Sequence, residues 1–357
     1  MFDCTRYVPI LRWKRAERDA LRFLTEDVRA SLTPLIEVTP KSFAARDDGS
    51  TPTVSEALSK VAHELLSHWG WRPAFIDLMH LSDDLRTEDD RPALVYLSSE
   101  ARRRGAPVIP VTDLGRSRVF QEAVKLVSAG GSPRVCIRLF QRDLARPTLE
   151  TDVGALLTNL GVERAQTDLV VDAQFIGDTI PDWNRALRKV PTLEEWRTIT
   201  LAAGAFPVDL AKFSVGIHPV RRADWLGWVQ LIRTQGALER QSMFSDYTIQ
   251  HGLYREPPER ANVSASIRYT SQESWIVMRG KALRTDNGPG NKQYHAEAKV
   301  LCGRQEFSGK SFSYGDAYIH ERSVLRAPTG SAETLLRAGF NHHMTLVVRQ
   351  LANLFGT

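Results

Sequence analysis

The amino-acid sequence predicts a (β/α)8 TIM-like barrel, and three observations carry that expectation. Eight short apolar runs alternate with longer amphipathic ones. The runs are apolar throughout, as strands of a parallel sheet covered on both faces must be. The units repeat every about 25–40 residues, which leaves room for the helical crossover that parallel strands require. A doubly wound open sheet gives the same alternation. The count of eight and the lack of a glycine-rich phosphate loop favour the barrel.

The elements follow in order. The first strand is expected at residues 7–11, before a helical pattern at 16–24. The second covers 34–38 and precedes 54–69, where apolar positions 54, 57, 58, 61, 65 and 69 recur at helical spacing. The third, at 75–79, leads to a helix over 94–104 that stops at Gly105. The fourth, at 107–113, precedes a helix over 118–129 closed by Gly130 and Gly131. Strands at 135–139, 168–172 and 199–203 come next, then a tryptophan-rich helix at 223–233 and an eighth strand at 243–249.

Residues 252–330 break this rhythm. Segments 264–269 and 274–278 alternate like a β-hairpin, and Asp286-Asn-Gly-Pro-Gly290 is a turn cluster before a helical pattern at 295–301. We expect a β-rich insertion between strand 8 and helix 8, lying over the barrel mouth as a lid within one domain spanning 1–357. Ser331 caps the last helix, whose apolar face includes Leu335, Phe340, His343, Met344, Val347 and Leu351. His343 is therefore expected in the core.

Composition excludes several classes. The chain has 357 residues, 42% hydrophobic and 25% charged, which supports a sizeable core and excludes a disordered or fibrous protein. No stretch approaches the roughly 18 apolar residues of a membrane span, and the N-terminus shows no charged region before an apolar core. A cytoplasmic protein without membrane contact is expected. Cys4, Cys136 and Cys302 are far apart, which suits reduced thiols better than a disulfide frame or zinc. The net charge of +5 permits an anionic partner without identifying one. No G-x-S-x-G, P-loop, H-E-x-x-H or G-x-G-x-x-G is present, so the common hydrolase, NTPase, protease and dinucleotide readings lack support.

The chemistry is suggested by position. Five expected strands carry an acid near the C-terminal end, where barrel active sites lie: Glu37, Asp77, Asp113, Asp172 and Asp246, with Arg138 on another. Glu37, Asp77, Asp172 and Asp246 are candidate ligands for Mg²⁺ or Mn²⁺ in phosphoester hydrolysis, with Arg138 and Lys14 as a phosphate clamp. Asp172, Asp246 and His251 are the catalytic candidates, His251 as general acid or base. A carboxylate pair acting on a glycosidic bond is an alternative. A third is an ion-pair network of Glu37, Asp77, Asp172, Arg138 and Arg12 that fills the barrel end. In the insertion, Arg268, Tyr269, Trp275, Arg279, Lys281, Lys292, Tyr294 and Lys310 mix bases with aromatics, as nucleic-acid or nucleotide contact requires and as a hairpin packed on a barrel also shows.

The segments YVPILRWKRAERDALRFL, LTPLIEV, SDYTIQHGLYREPP, ASIRYTSQESWIVMRG, SFSYGDAYI and TGSAETLLRAGFNHHMTLVVRQL resemble the beta protein family of bacteria, phages and phage satellites. That resemblance implies an anti-phage defence or toxin-control role in a mobile element, with a protein partner encoded nearby, a toxin or nuclease subunit. It brings no catalytic set. By motif alone it singles out Arg268, Tyr269, Tyr314, Asp316, Asn341 and His342, of which Arg268, Tyr269, Tyr314, Asp316 and His342 are the candidates for substrate binding beside Lys14 and Arg138. Trp13 departs from the smaller or more polar residue expected there.

Overall fold

The apolar runs form the strands expected of them. A computed structural model describes residues 5–45, 48–130, 134–234, 241–255, 262–285 and 288–356. Its strands are β1 (Tyr7–Arg12), β2 (Leu35–Glu37), β3 (Ala74–Asp77), β4 (Val108–Thr112), β5 (Val135–Phe140), β6 (Thr167–Phe175), β7 (Thr198–Gly204), β8 (Gly216–Arg221), β9 (Met243–Asp246), β10 (Ser264–Thr270) and β11 (Ser274–Ala282). Strands β1 to β7 and β9 close a parallel barrel, with β9 pairing back onto β1.

Alternation along each strand divides the core. Val8, Ile10, Leu35, Phe75, Val111, Cys136, Val170 and Met243 form one apolar cluster, which fills the barrel interior. Their neighbours Tyr7, Leu11, Ile36, Ile76, Leu139 and Phe244 belong to a second cluster shared with the surrounding helices.

The helices are α1 (Arg15–Arg22), α2 (Glu26–Ala30), α3 (Val54–His68), α4 (Ala93–Arg103), α5 (Arg118–Ala129), α6 (Gln141–Leu144), α7 (Leu149–Leu160), α8 (Trp183–Leu187), α9 (Ala223–Thr234), α10 (Gln293–Cys302), α11 (Tyr314–Arg322) and α12 (Ala332–Phe355). Their ends have local causes. Thr53 and Glu56 form a reciprocal capping box that starts α3. Gly161, at φ 69°, takes the left-handed turn that ends α7. Ser331 accepts from the Thr334 N–H and opens α12. Gly131, in the expected stop after α5, lies outside the described residues, as do Asp286 and Asn287 of the expected turn cluster.

The insertion is less self-contained than residues 252–330 suggested. β10 and β11 form the expected hairpin, but the third strand of their sheet is β8, from the connection between β7 and α9. One face of this sheet (Val220, Trp275, Val277) joins the helix-side core of the barrel. The other (Ala265, Ile267, Tyr269, Ile276, Met278) packs with Tyr294, Leu301 and Ile319 of α10 and α11. The part lying over the mouth is the short segment after β9, where Tyr254 covers Lys14, Arg12 and His80. Among the described residues no helix is long and apolar enough to cross a membrane.

Candidate functional site

Register and alternation bring three of the strand-end acids together. Arg12, Glu37 and Asp77 pair side by side across β1, β2 and β3. They share the inward parity of Ile10, Leu35 and Phe75, as Arg138 and Asp172 share that of Cys136 and Val170. Arg138, 1% exposed, occupies the middle. Its Nη1 lies 2.8 Å from Asp77 and 3.0 Å from Glu37. Its Nη2 and Nε donate to Asp172 at 2.6 and 2.9 Å, and Nη2 also donates to the Tyr247 hydroxyl at 2.8 Å. Tyr247 in turn donates to Asp172 at 2.6 Å.

The rim of this hub is also occupied. His80 Nε2 is 3.0 Å from Glu37, and Arg12 Nε is 3.7 Å from it. Burial alone would raise the Glu37 carboxyl, but Arg138, His80 and Arg12 bring it down to about 2. At Asp77 burial wins over Arg138, and the carboxyl is raised. Among the described residues no group of three or more His, Cys, Asp or Glu side chains is placed to hold a metal ion. The guanidinium lies where a cation shared by Glu37, Asp77 and Asp172 would bind.

Asp246 does not join the expected ligand set, because it has the opposite parity. It shares the helix-facing side of β9 with Phe244, so its carboxylate reaches α12 rather than the barrel axis. It accepts from Tyr7 at 2.5 Å, from the Thr248 N–H at 2.9 Å and from His343 Nε2 at 2.9 Å. Burial would raise it, but His343, Arg222 and Tyr7 hold it below the usual carboxylate value.

Turn chemistry accounts for the acids on several strand ends. Asp77, Asp113, Asp172 and Asp246 each accept the backbone N–H two residues on, from Met79, Gly115, Gln174 and Thr248, at 2.6–2.9 Å. The Asx turn ends β3, β4 and β9 and starts their loops, while at Asp172 it coincides with the register shift inside β6. Gln174 and Thr248 are held at positive φ in these turns.

His251 is 8% exposed, with its ring tilted against Phe175 at a centroid distance of 4.1 Å. Its Nδ1 accepts from the Leu253 N–H at 3.1 Å, and burial lowers its pKa. Arg12 donates to its carbonyl at 2.7 Å, so the residue anchors the covering segment. Lys14 stands 5.0 Å over the Tyr254 ring, at the edge of the first βα loop. Trp13 is buried and donates to Glu64 at 3.1 Å, which explains a large aromatic there.

The candidate substrate-binding residues of the insertion bind one another instead. The Tyr269 hydroxyl donates to Asp316 Oδ1 at 2.7 Å, and His342 Nδ1 donates to Oδ2 at 2.8 Å. His342 Nε2 lies 2.8 Å from the Thr270 carbonyl oxygen. The Thr270 hydroxyl meets His343 Nδ1 at 2.9 Å, and His343 leads on to Asp246 and Tyr7. Asn341 accepts from Gly315 and donates to the Ala20 carbonyl. Gly315 and Gly339 let α12 close: an added Cβ would collide with the Ala338 carbonyl oxygen at the first and lie 2.6 Å from that of Arg268 at the second.

Trp275 and Tyr294 are wholly buried and present no stacking face to a nucleic acid. Arg268 is half-buried, bonding the Ile249 carbonyl with its guanidinium over Phe206. Tyr314 stacks on Phe23 with centroids 4.1 Å apart. The residues S-I-R-Y-T, S-Y-G-D and G-x-N-H-H thus form one buried polar spine.

The family model described as Beta protein matches residues 7–349, nearly the whole chain and every member of that spine. The chain belongs to the Beta protein family. No curated protein matches it. In this Beta protein the family-like motifs lie between elements, where they fasten α11, α12 and β10 to the barrel.

Proposed function

We propose that this Beta protein is a non-catalytic barrel that binds and restrains a partner protein, a toxin or nuclease subunit encoded nearby, in an anti-phage or toxin-control module of a mobile element. The observation that supports this over metal-dependent phosphoester hydrolysis is Arg138, buried and bonded to Glu37, Asp77 and Asp172 at once. A hydrolase using those acids with Mg²⁺ or Mn²⁺ would have to expel that guanidinium, stranding an unpaired buried charge. Asp246, turned toward α12, would not reach the same ion, and His251 is tied to the covering segment. The mobile-element setting comes with the family resemblance.

The test is co-expression of the full chain with the product of the adjacent gene, followed by size-exclusion chromatography. A complex of fixed stoichiometry, with no phosphodiesterase activity when Mn²⁺ is added, is expected. Mn²⁺-dependent hydrolysis that disappears in a folded Asp77→Asn variant would overturn the proposal.

A further inference from the structure

The two edges of the small sheet are finished differently. β10 lies against α12, where Gly339 approaches the Arg268 carbonyl and His342 takes the Thr270 carbonyl. β8, the other edge, has no strand beyond it among the described residues. The Arg222 N–H donates to the Glu273 carbonyl, in register with the β8–β11 pairing. In an antiparallel ladder this directs the main-chain groups of alternate residues outward, here Ile217, Pro219 and Arg221. Pro219, which has no N–H to offer, suits that edge position.

A groove of about 350 Å³ runs beside this edge, between β8 and α10. Val215 and Ile217 line one wall, Ala296 and Val300 the other, and Met278 lies between them. Val215 is 60% and Val300 49% exposed, unusual for valines flanking a sheet edge. Glu297 lines the same groove, and its buried Oε2 has no hydrogen-bond partner. Burial raises the carboxyl to about 7. Arg279 and Lys281 also line the groove, yet among the described residues that carboxylate oxygen and the β8 edge have no hydrogen-bonding partner.

We propose that the β8 edge is the docking site for an extended segment of the partner protein, which adds as a fourth strand, fills the groove with alternate apolar side chains and brings a lysine or arginine to Glu297. This rests on the reading of the chain as a partner-binding barrel. The main chain supplies the pairing, the valines select apolar side chains, and Glu297 selects the basic one.

The experiment uses the full chain and the adjacent gene's product as probe, with two variants. Ile217→Pro removes an outward N–H without touching the β11 ladder, and Glu297→Gln removes the charge. Each is expected to melt within a few degrees of wild type and to weaken binding at least tenfold by calorimetry. Hydrogen exchange in the wild-type complex is expected to slow over residues 216–221 and 296–300. Unchanged affinity in both variants overturns this docking site and leaves partner binding standing. No binding to the wild-type chain overturns the partner reading and the docking site together.

Discussion

Two buried polar networks hold this molecule, and they are built on opposite plans. The barrel mouth is a hub in which one guanidinium, Arg138, satisfies carboxylates from β2, β3 and β6. The connection to the insertion is a chain: Tyr269, Asp316, His342, Thr270, His343, Asp246 and Tyr7 each hold the next. A hub concentrates risk in its centre, since losing one cation strands several charges where water cannot reach. A chain spreads it, because each link touches only its neighbours. The hub ties strands of the barrel to one another, whereas the chain joins the barrel to β10, α11 and α12.

Removing the hub is expected to have the largest effect. Arg138→Met leaves the buried Asp77 and Asp172 without a cation and Glu37 with only His80 and Arg12, and should cost more than about 3–5 kcal/mol, enough to abolish soluble folded protein. Neutralising the acids as well, with Glu37→Gln, Asp77→Asn and Asp172→Asn, should restore part of the melting transition. A single Arg138→Met variant that melts like wild type would refute the hub.

Breaking the chain should matter less and more locally. Asp316→Ala strands the Tyr269 hydroxyl and the His342 ring, a loss of about 2–3 kcal/mol. Hydrogen exchange should then quicken in β10, α11 and α12 while β1 to β6 stay protected. Uniform acceleration across the barrel would show that the two networks are one cooperative unit.

One carboxyl of the hub and one beside the chain should titrate in opposite senses. Glu37 falls from 4.5 to about 2 on folding, so its contribution is present above pH 4.5 and is lost as pH drops through that interval. Asp224, near the Asp246 end of the chain, rises from 3.8 to about 7, first through burial and then through the charge of Asp246. The folded state holds that proton longer than the unfolded one, so its contribution is lost as pH rises toward 7. Glu17 and Glu297 are raised to about 7 as well, so the melting temperature should fall by a few degrees from pH 5 to 8, and Asp224→Asn should remove part of that fall and leave the acid limb unchanged. The smallest effect is expected of Thr270→Val, which removes one hydroxyl from His343 at a cost of about 1 kcal/mol in urea unfolding.

The barrel was legible because its signal is repetitive: eight apolar runs, each followed by a helix, survive errors of a residue or two at any boundary. The convergence of Glu37, Asp77, Asp172 and Arg138 was legible for the same reason, as was the core placement of His343. Asp246 was misjudged because one residue of parity decides which side of a barrel a side chain enters. Counting inward from Met243 and Tyr247, which share the interior cluster, would have placed it on the helix side. An aspartate near a strand end does not by itself separate chemistry from turn formation, because an Asx turn calls for the same residue there. The role of β8 had no local signature, since a strand borrowed by a distant hairpin looks like loop until its partner is known.

The closing contacts of α12 also bear on how the chain comes to be made. When a ribosome has produced residues 1–330, β9 can already close the barrel, but Asp246, Asp316 and the Thr270 carbonyl still lack His343 and His342. A nascent or truncated chain would expose those groups together with the apolar bed of the last helix, the kind of surface that proteases and chaperones detect. The two dozen residues of α12 would thus cover those groups, and a chain lacking them would be recognisable before it met any partner.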